Sequence, residues 1–326
     1  MSFPTHRHRR LRRTAAIRRL VAEATLTADD LITPIFVREG IDNPVEIPSL
    51  PGVFQHTVGS ATQFSKGLVE VGIPGVMIFG VPRAKDEIGS EAWSSDGIAQ
   101  VAISEIKSSV GDDLAVMADL CLDEYTLSGH CGTLGADGNV NNDETLELYG
   151  KIALAQASAG VDFVGPSGMM DGQVGVIRSA LDDHGFAEVG ILAYSAKYAS
   201  ALYGPFRDAV DVSIVNGGNR KTYQQDFRNS RESLSEIVAD IEQGADIVMV
   251  KPAMSYLDIV SLARRSVSVP IAAYHVSGEY AMIMAASANG WIDGDATAIE
   301  QLTAIKRAGA SMILTYFAPM IAELLA

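Results

Sequence analysis

The 326-residue sequence has only two cysteines, Cys121 and Cys131. That is too few for a disulfide framework, and a reducing, cytoplasmic compartment is the simplest reading. There is no signal-peptide h-region and no run of about 18 apolar residues that could span a bilayer. Basic residues are scarce: 25 lysines and arginines face 40 acids, a net charge of −15. Neutralising phosphates needs a basic face, so this balance argues against a nucleic-acid partner. No G-x-G-x-x-G follows the first strand-like run, which disfavours a dinucleotide-binding sheet. Neither a G-X-Y nor a heptad pattern runs through the chain, which excludes a fibrous rod. With 48% hydrophobic and 20% charged residues, the chain is too apolar to be disordered.

One segment breaks the acidic trend. Residues 1–19 carry Arg7, Arg9, Arg10, Arg12, Arg13, Arg18 and Arg19 and no acid. An arginine-rich, acid-poor start resembles a transit peptide. The reading preferred here is an arm, residues 1–30, that packs on an acidic neighbouring subunit.

Eight short β-rich runs follow: Ile32–Val37, Gly75–Val81, Leu114–Leu120, Val161–Gly165, Val189–Tyr194, Asp246–Val250, Pro270–Val276 and Ser311–Tyr316. Most are continuously apolar, as suits parallel strands covered on both faces. Helix-like stretches lie between them, among them Asn142–Ala159, Ser233–Gln243, Leu257–Ser266 and Thr297–Ala308. Eight alternations predict one (β/α)₈ barrel over residues 31–326, with a doubly wound open sheet as the alternative. The polar stretch 203–229, with Gly204, Pro205, Gly217 and Gly218, reads as a lid. Its Arg207, Arg220 and Lys221 suit an anion.

Barrel chemistry gathers at the C-terminal strand ends. Lys251 closes one apolar run and Lys197 follows another. A lysine there is costly to bury as a cation. Desolvation or a second nearby cation lowers its pKa and frees the lone pair that a Schiff-base nucleophile needs. The bland reading of each alone is a snorkelling side chain; two at equivalent strand ends weaken it.

In the run Asp119-Leu-Cys-Leu-Asp-Glu-Tyr-Thr-Leu-Ser-Gly-His-Cys131, Cys121 and Asp123 stand two apart, and Gly129 and Gly132 let the loop bring Cys131 back. Two residues so spaced on a strand end share a face. Three ligands with an open fourth position describe a catalytic zinc site. Buried inert cysteines are the competing reading. His130 is a further possible ligand or proton carrier.

Taken in order, these segments are recognisable. Arg9–Arg13, Asp30–Val37, Lys85-Asp with Gly89-Ser-Glu91, Asp119–Asp123, Met169–Gly172, Tyr194–Ser200, Tyr203–Asp208, Met249–Pro252, Tyr274–Glu279 and Thr315-Tyr316 closely resemble the porphobilinogen synthase (5-aminolevulinic acid dehydratase) family nearly end to end. The resemblance implies a (β/α)₈ barrel with an arm-held homo-oligomer, commonly an octamer. It implies condensation of two 5-aminolevulinate molecules to porphobilinogen with loss of two waters, an early step of tetrapyrrole (heme) synthesis. Lys251 and Lys197 would form the imines, with Lys251 taking the first substrate and Asp119 handling protons or orienting a lysine. Arg207, Arg220 and Gln224 would hold one substrate carboxylate, and Ser277 and Tyr316 the other. A metal at Cys121, Asp123 and Cys131 would be zinc first, magnesium or none as alternatives, and Glu236 matches an allosteric magnesium ligand.

The chain departs from the family pattern at Asp123, where many zinc-dependent members have a third cysteine. It departs also at Ser128, Gly168, Gln173 and Asn219, each removing a charge or ligand near the mouth. Two rival readings remain: a class I aldolase, for which one lysine would suffice, and a degenerate barrel kept as an assembly partner.

Overall fold

The computed structural model describes residues 5–214 and 218–325; Gly217 of the expected lid lies outside them. The strands are β1 (Leu31–Arg38), β2 (Val45–Glu46), β3 (Phe54–His56), β4 (Gly75–Val81), β5 (Ala115–Leu120), β6 (Phe163–Pro166), β7 (Gly190–Lys197), β8 (Ile247–Lys251), β9 (Ile271–His275) and β10 (Met312–Thr315). The helices are α1 (Ala15–Leu20), α2 (Val58–Glu70), α3 (Ile98–Val110), α4 (Asn142–Ser158), α5 (Gln173–Asp183), α6 (Gly204–Ala209), α7 (Arg231–Glu242), α8 (Leu257–Ser266), α9 (Ser277–Ala288), α10 (Gly294–Ala308) and α11 (Ala318–Leu325).

Strands β1 and β4–β10 pair in parallel in chain order, and β10 returns to β1 with Leu31 opposite Ile313. The closed (β/α)₈ barrel expected from the eight runs is therefore present, and β2 and β3 form a short hairpin appended to β1. The barrel strands are largely buried on both faces, β4 along its whole length, as their continuous apolar runs require. The helices present one apolar stripe inward; α3 buries Ala99, Ala102, Ile103, Ile106 and Val110, the three-and-four spacing of a helix face.

Local chemistry sets the helix ends. Asn141 and Asp293 accept the backbone N–H of Glu144 and Ala296, satisfying donors that a helix start leaves free. Gly244, at φ +108°, lets the chain leave α7 for β8 through a conformation side chains disfavour. At the strand starts, Asp162 and Asp246 accept the N–H of Val116 and Ile191 at 2.7 and 2.8 Å. These carboxylates lock the barrel at the face opposite its chemistry.

One irregularity positions the site. The pairing of β7 with β8 slips between Ala193 and Ala196, after which Lys197 stands opposite Lys251. A one-residue slip moves later side chains to the other face. It turns Tyr194 and Lys197, three apart in sequence, toward the same interior.

Phe36 is fully buried between the rings of Phe79 and Phe206, 5.5 and 5.9 Å away. Phe36→Ala is expected to cost about 3–5 kcal/mol, read as a lower midpoint of urea unfolding.

Candidate active site

Lys197 and Lys251 close adjacent strands and are each 4% exposed. Their Nζ atoms stand 5.6 and 5.1 Å from the centre of the same Tyr194 ring. Lys251 also faces Tyr274 at 4.4 Å, Phe206 at 5.0 Å and Tyr203 at 5.3 Å. Ring faces attract an ammonium, but burial and the neighbouring Lys197 cation oppose it more strongly and bring the Lys251 pKa down to about 7. Lys197 donates to the Ser167 carbonyl. Burial works against its charge too, yet Cys131 and the carboxylates of Asp123 and Asp119 outweigh it and hold its pKa above the ordinary lysine value. At neutral pH Lys197 is thus an ammonium, while Lys251 is close to half amine.

Asp119 ends in the same cavity. Its Oδ2 accepts from Ser167 Oγ at 3.0 Å, while Oδ1 is buried without a partner. Burial raises its pKa to about 6 against the pull of both lysines.

Strand β5 stops at Leu120, so Cys121 and Asp123 sit on the turn beyond it and not on alternate strand positions as expected. The turn and the returning loop nevertheless gather one ligand atom each from Cys121, Asp123 and Cys131 within 4.8 Å of one another, all buried. Burial, with the neighbouring thiol, raises Cys121; Cys131 is lowered, since the Cys121 hydrogen bond and Arg220 overcome its burial. Burial also opposes ionisation of Asp123, but Arg220 at 2.7 Å holds its carboxyl well below the usual carboxylate range. Two thiols that a cation would deprotonate and a carboxylate fit a metal ion. His130 does not join them; its Nδ1 lies 3.0 Å from the Tyr223 hydroxyl.

The expected lid is not one loop. Its first part is helix α6, with Pro205 in the first turn. The chain at its C-terminal end is tied down: Gln55 donates to the Ala209 carbonyl and Lys85 to that of Asp211, each at 2.8 Å. Arg38 pairs with the Asp211 carboxylate at 2.8 Å. Arg207 rises from α6 with its Nε buried and unpartnered; burial, then nearby Arg220, lowers its pKa. Arg220 bridges Asp123 and the Gly129 carbonyl, which fastens the second part of stretch 203–229 to the loop that carries Asp123 and Cys131. Gln224 is buried with its amide nitrogen unpartnered. It shares a cavity of about 580 Å³ with Asp171, Glu232 and Glu236. Burial, then Asp240, Asp171 and Glu232, pushes Glu236 up to about 7.

On the far side, Tyr316 and Tyr274 exchange a hydroxyl hydrogen bond at 3.0 Å, which links Tyr316 to the ring beneath Lys251. Ser277 Oγ accepts from Phe206 N at 3.1 Å and donates to the Leu202 carbonyl. Lys251, Lys197, Asp119, the metal-type cluster and both arginines therefore belong to one mouth, and Glu236 lies outside it.

This geometry can be set beside known proteins. The model of the delta-aminolevulinic acid dehydratase family matches residues 5–324. The chain belongs to the delta-aminolevulinic acid dehydratase family. It is 56% identical to the dehydratase of Streptomyces coelicolor, covering 99% of this chain and 98% of that one. It is 53% identical to the dehydratase of Mycobacterium tuberculosis H37Rv, covering 97% and 96%. The crystal structure of the Toxoplasma gondii ME49 dehydratase (porphobilinogen synthase) in complex with its reaction product porphobilinogen superposes with a TM-score of 0.95 at 41% identity, covering 98% of this chain and 91% of that one. Membership in a dehydratase family sets the aldolase reading aside.

Several groups at this dehydratase mouth escaped sequence reasoning. Tyr149, fully buried, donates to the Cys131 carbonyl at 2.7 Å and lies 3.9 Å from Cys121 Sγ. It accounts for Gly168: a Cβ there would fall 1.7 Å from the Tyr149 hydroxyl, so tyrosine occupies the space an aspartate would need. Glu124, 2% exposed, has neither oxygen partnered; burial, then Asp123 and Asp119, pushes its pKa well above the ordinary glutamate value. Its only sequence signal is an acid directly following a ligand. Ser128 accepts the His130 N–H, Gln173 accepts that of Met170, and Asn219 accepts that of Lys221; these three departures are locally satisfied.

Gly168→Ala should displace Tyr149 and loosen both thiol positions. Metal affinity measured by chelator competition is expected to fall about 10–100-fold; unchanged affinity would contradict this role for Tyr149.

Proposed function

We propose that Lys251 and Lys197 carry the family's reaction, the condensation of two 5-aminolevulinate molecules to porphobilinogen with loss of two waters, through one imine each. The observation that supports this most is the pair of buried lysines facing one tyrosine ring from adjacent strand ends. Lys251, close to half neutral at pH 7, adds first to a substrate ketone. Lys197 must give up a proton before it adds to the second, and Asp119, within its field, is the group to receive or relay it. Each imine releases one water, which accounts for both. Proton loss beside one iminium gives an enamine, whose carbon attacks the other substrate. Each lysine leaves as an amine, one of them when the second substrate's amino group closes the ring.

Arg207, Arg220 and Gln224 hold one substrate carboxylate, since a guanidinium fork matches it; the buried, unpartnered Nε atoms of both arginines and the Gln224 amide favour this. Ser277 and Tyr316 take the other. Cys121, Asp123 and Cys131 would hold the metal, which would supply Lewis acidity toward the second substrate's amine. Two sulfur donors favour zinc over magnesium. Glu236, among Asp171, Glu232 and Asp240, is a place for a regulatory magnesium. The arm supports a homo-oligomer, an octamer by family likeness: neither α1 nor the turn before it buries a side chain, and Leu11 and Leu20 are exposed. No helix among the described residues is long and apolar enough to cross a membrane, and we assign the enzyme to the cytoplasm.

Incubation with 5-aminolevulinate should yield the pyrrole, and borohydride should trap adducts on Lys251 and Lys197. Lys251→Ala and Lys197→Ala are each expected to lose on the order of 10⁴-fold or more in kcat. Adducts on neither lysine would overturn the mechanism. A chelator should abolish pyrrole formation and zinc restore it; indifference to the chelator would overturn the metal assignment alone.

A further inference from the structure

Glu279, in the first turn of α9, is 2% exposed and forms no ion pair among the described residues. A buried carboxylate without a cation is costly and calls for a reason. Its two oxygens serve different loops. Oε2 accepts the N–H of Val276 at 2.7 Å, at the start of its own helix. Oε1 accepts the N–H of Met254 at 2.8 Å, in the turn that follows Lys251-Pro252; the N–H groups of Ala253 and Ser255 also point to the carboxylate. Burial still pushes its carboxyl up to about 7.

The place of this bridge matters. Pairing of β8 with β9 ends at Val250 opposite Ala273, so no ladder bond ties the two chains where they leave the sheet. Lys251 lies just beyond on one side and Ser277 on the other. The start of α9 is also pressed against the chain before α6, since a Cβ on Gly278 would lie 2.5 Å from the Leu202 carbonyl. The Tyr274 ring under Lys251 reaches Tyr316 by its hydroxyl. We take the ketone on Lys251 and the carboxylate at Ser277 and Tyr316 to belong to one substrate molecule, since Tyr274 contacts both Lys251 and Tyr316.

We propose that Glu279 is a positioning residue for the Lys251 half of the site: by bridging the two loops it fixes the span between the imine-forming nitrogen and the Ser277 hydroxyl to the length of a 4-oxo carboxylic acid. This inference rests on the Schiff-base reading above. A span set in advance spares the substrate the cost of ordering the site.

The test uses full-length enzyme, Glu279→Gln and Glu279→Asp. Glutamine offers one acceptor and turns a donor toward the other loop; aspartate keeps the charge but is too short to reach both. Borohydride adducts on Lys251 are quantified by mass spectrometry against concentration of 5-aminolevulinate, of levulinate and of 2-butanone, which has the ketone without the carboxylate. In both variants the half-saturating concentration of the two acids is expected to rise at least about tenfold, with 2-butanone unchanged, so that the preference for a carboxylate shrinks; KM should rise more than kcat falls. In the wild-type enzyme the amide hydrogens of Met254 and Val276 should resist exchange, a readout that does not depend on the variants folding. Unchanged preference in the variants, or free exchange at both amides, overturns the inference. A wild-type enzyme that gives no adduct at Lys251 overturns the Schiff-base reading together with it.

Discussion

Two lysines buried among aromatic rings at adjacent strand ends cannot both hold their protons as tightly as an ordinary lysine, and that constraint organises the mouth of this barrel. Lys197 is surrounded by the anions of the cluster and stays protonated. Lys251 has four rings and a cation for neighbours, and gives up its proton most readily. Two identical side chains on adjacent strands thus differ in charge, one an ammonium and the other readily deprotonated. The device that makes them neighbours is the slip in β7, without which Lys197 would follow the regular alternation away from Lys251.

The charges of the metal-type cluster are part of that balance. Asp123 is shared between the cluster and Arg220, and Tyr223 reaches both His130 Nδ1 and the Cys131 N–H. The second part of the lid is therefore built onto the ligand loop, while its first part, α6, is anchored to the barrel through Gln55, Lys85 and Arg38. Through the Arg220–Asp123 pair a change in stretch 203–229 is felt at the cysteine cluster, and the reverse.

Much of this was legible in the sequence, for identifiable reasons. Continuous apolar runs mark strands buried on both faces, so the barrel could be read from the eight of them. The lysines stood out because charge at the end of such a run is expensive. What could not be read depended on contacts between distant segments. The β7 slip leaves no local mark. Cys121 and Asp123 were expected on alternate strand positions, but β5 stops short and a turn does the gathering. Gly168 reads as a lost aspartate, but the fold brings Tyr149 of α4 into the space an aspartate would need. Stretch 203–229 reads as loop by composition, yet Pro205 starts a helix there.

The split between the two lysines is tested most directly by the pH dependence of Lys251 acetylation, measured by mass spectrometry in the intact enzyme and in Lys197→Met. The account predicts a midpoint near 7 that moves upward when the neighbouring cation is removed. A midpoint near the ordinary lysine value of about 10.4, unmoved by the substitution, would contradict it.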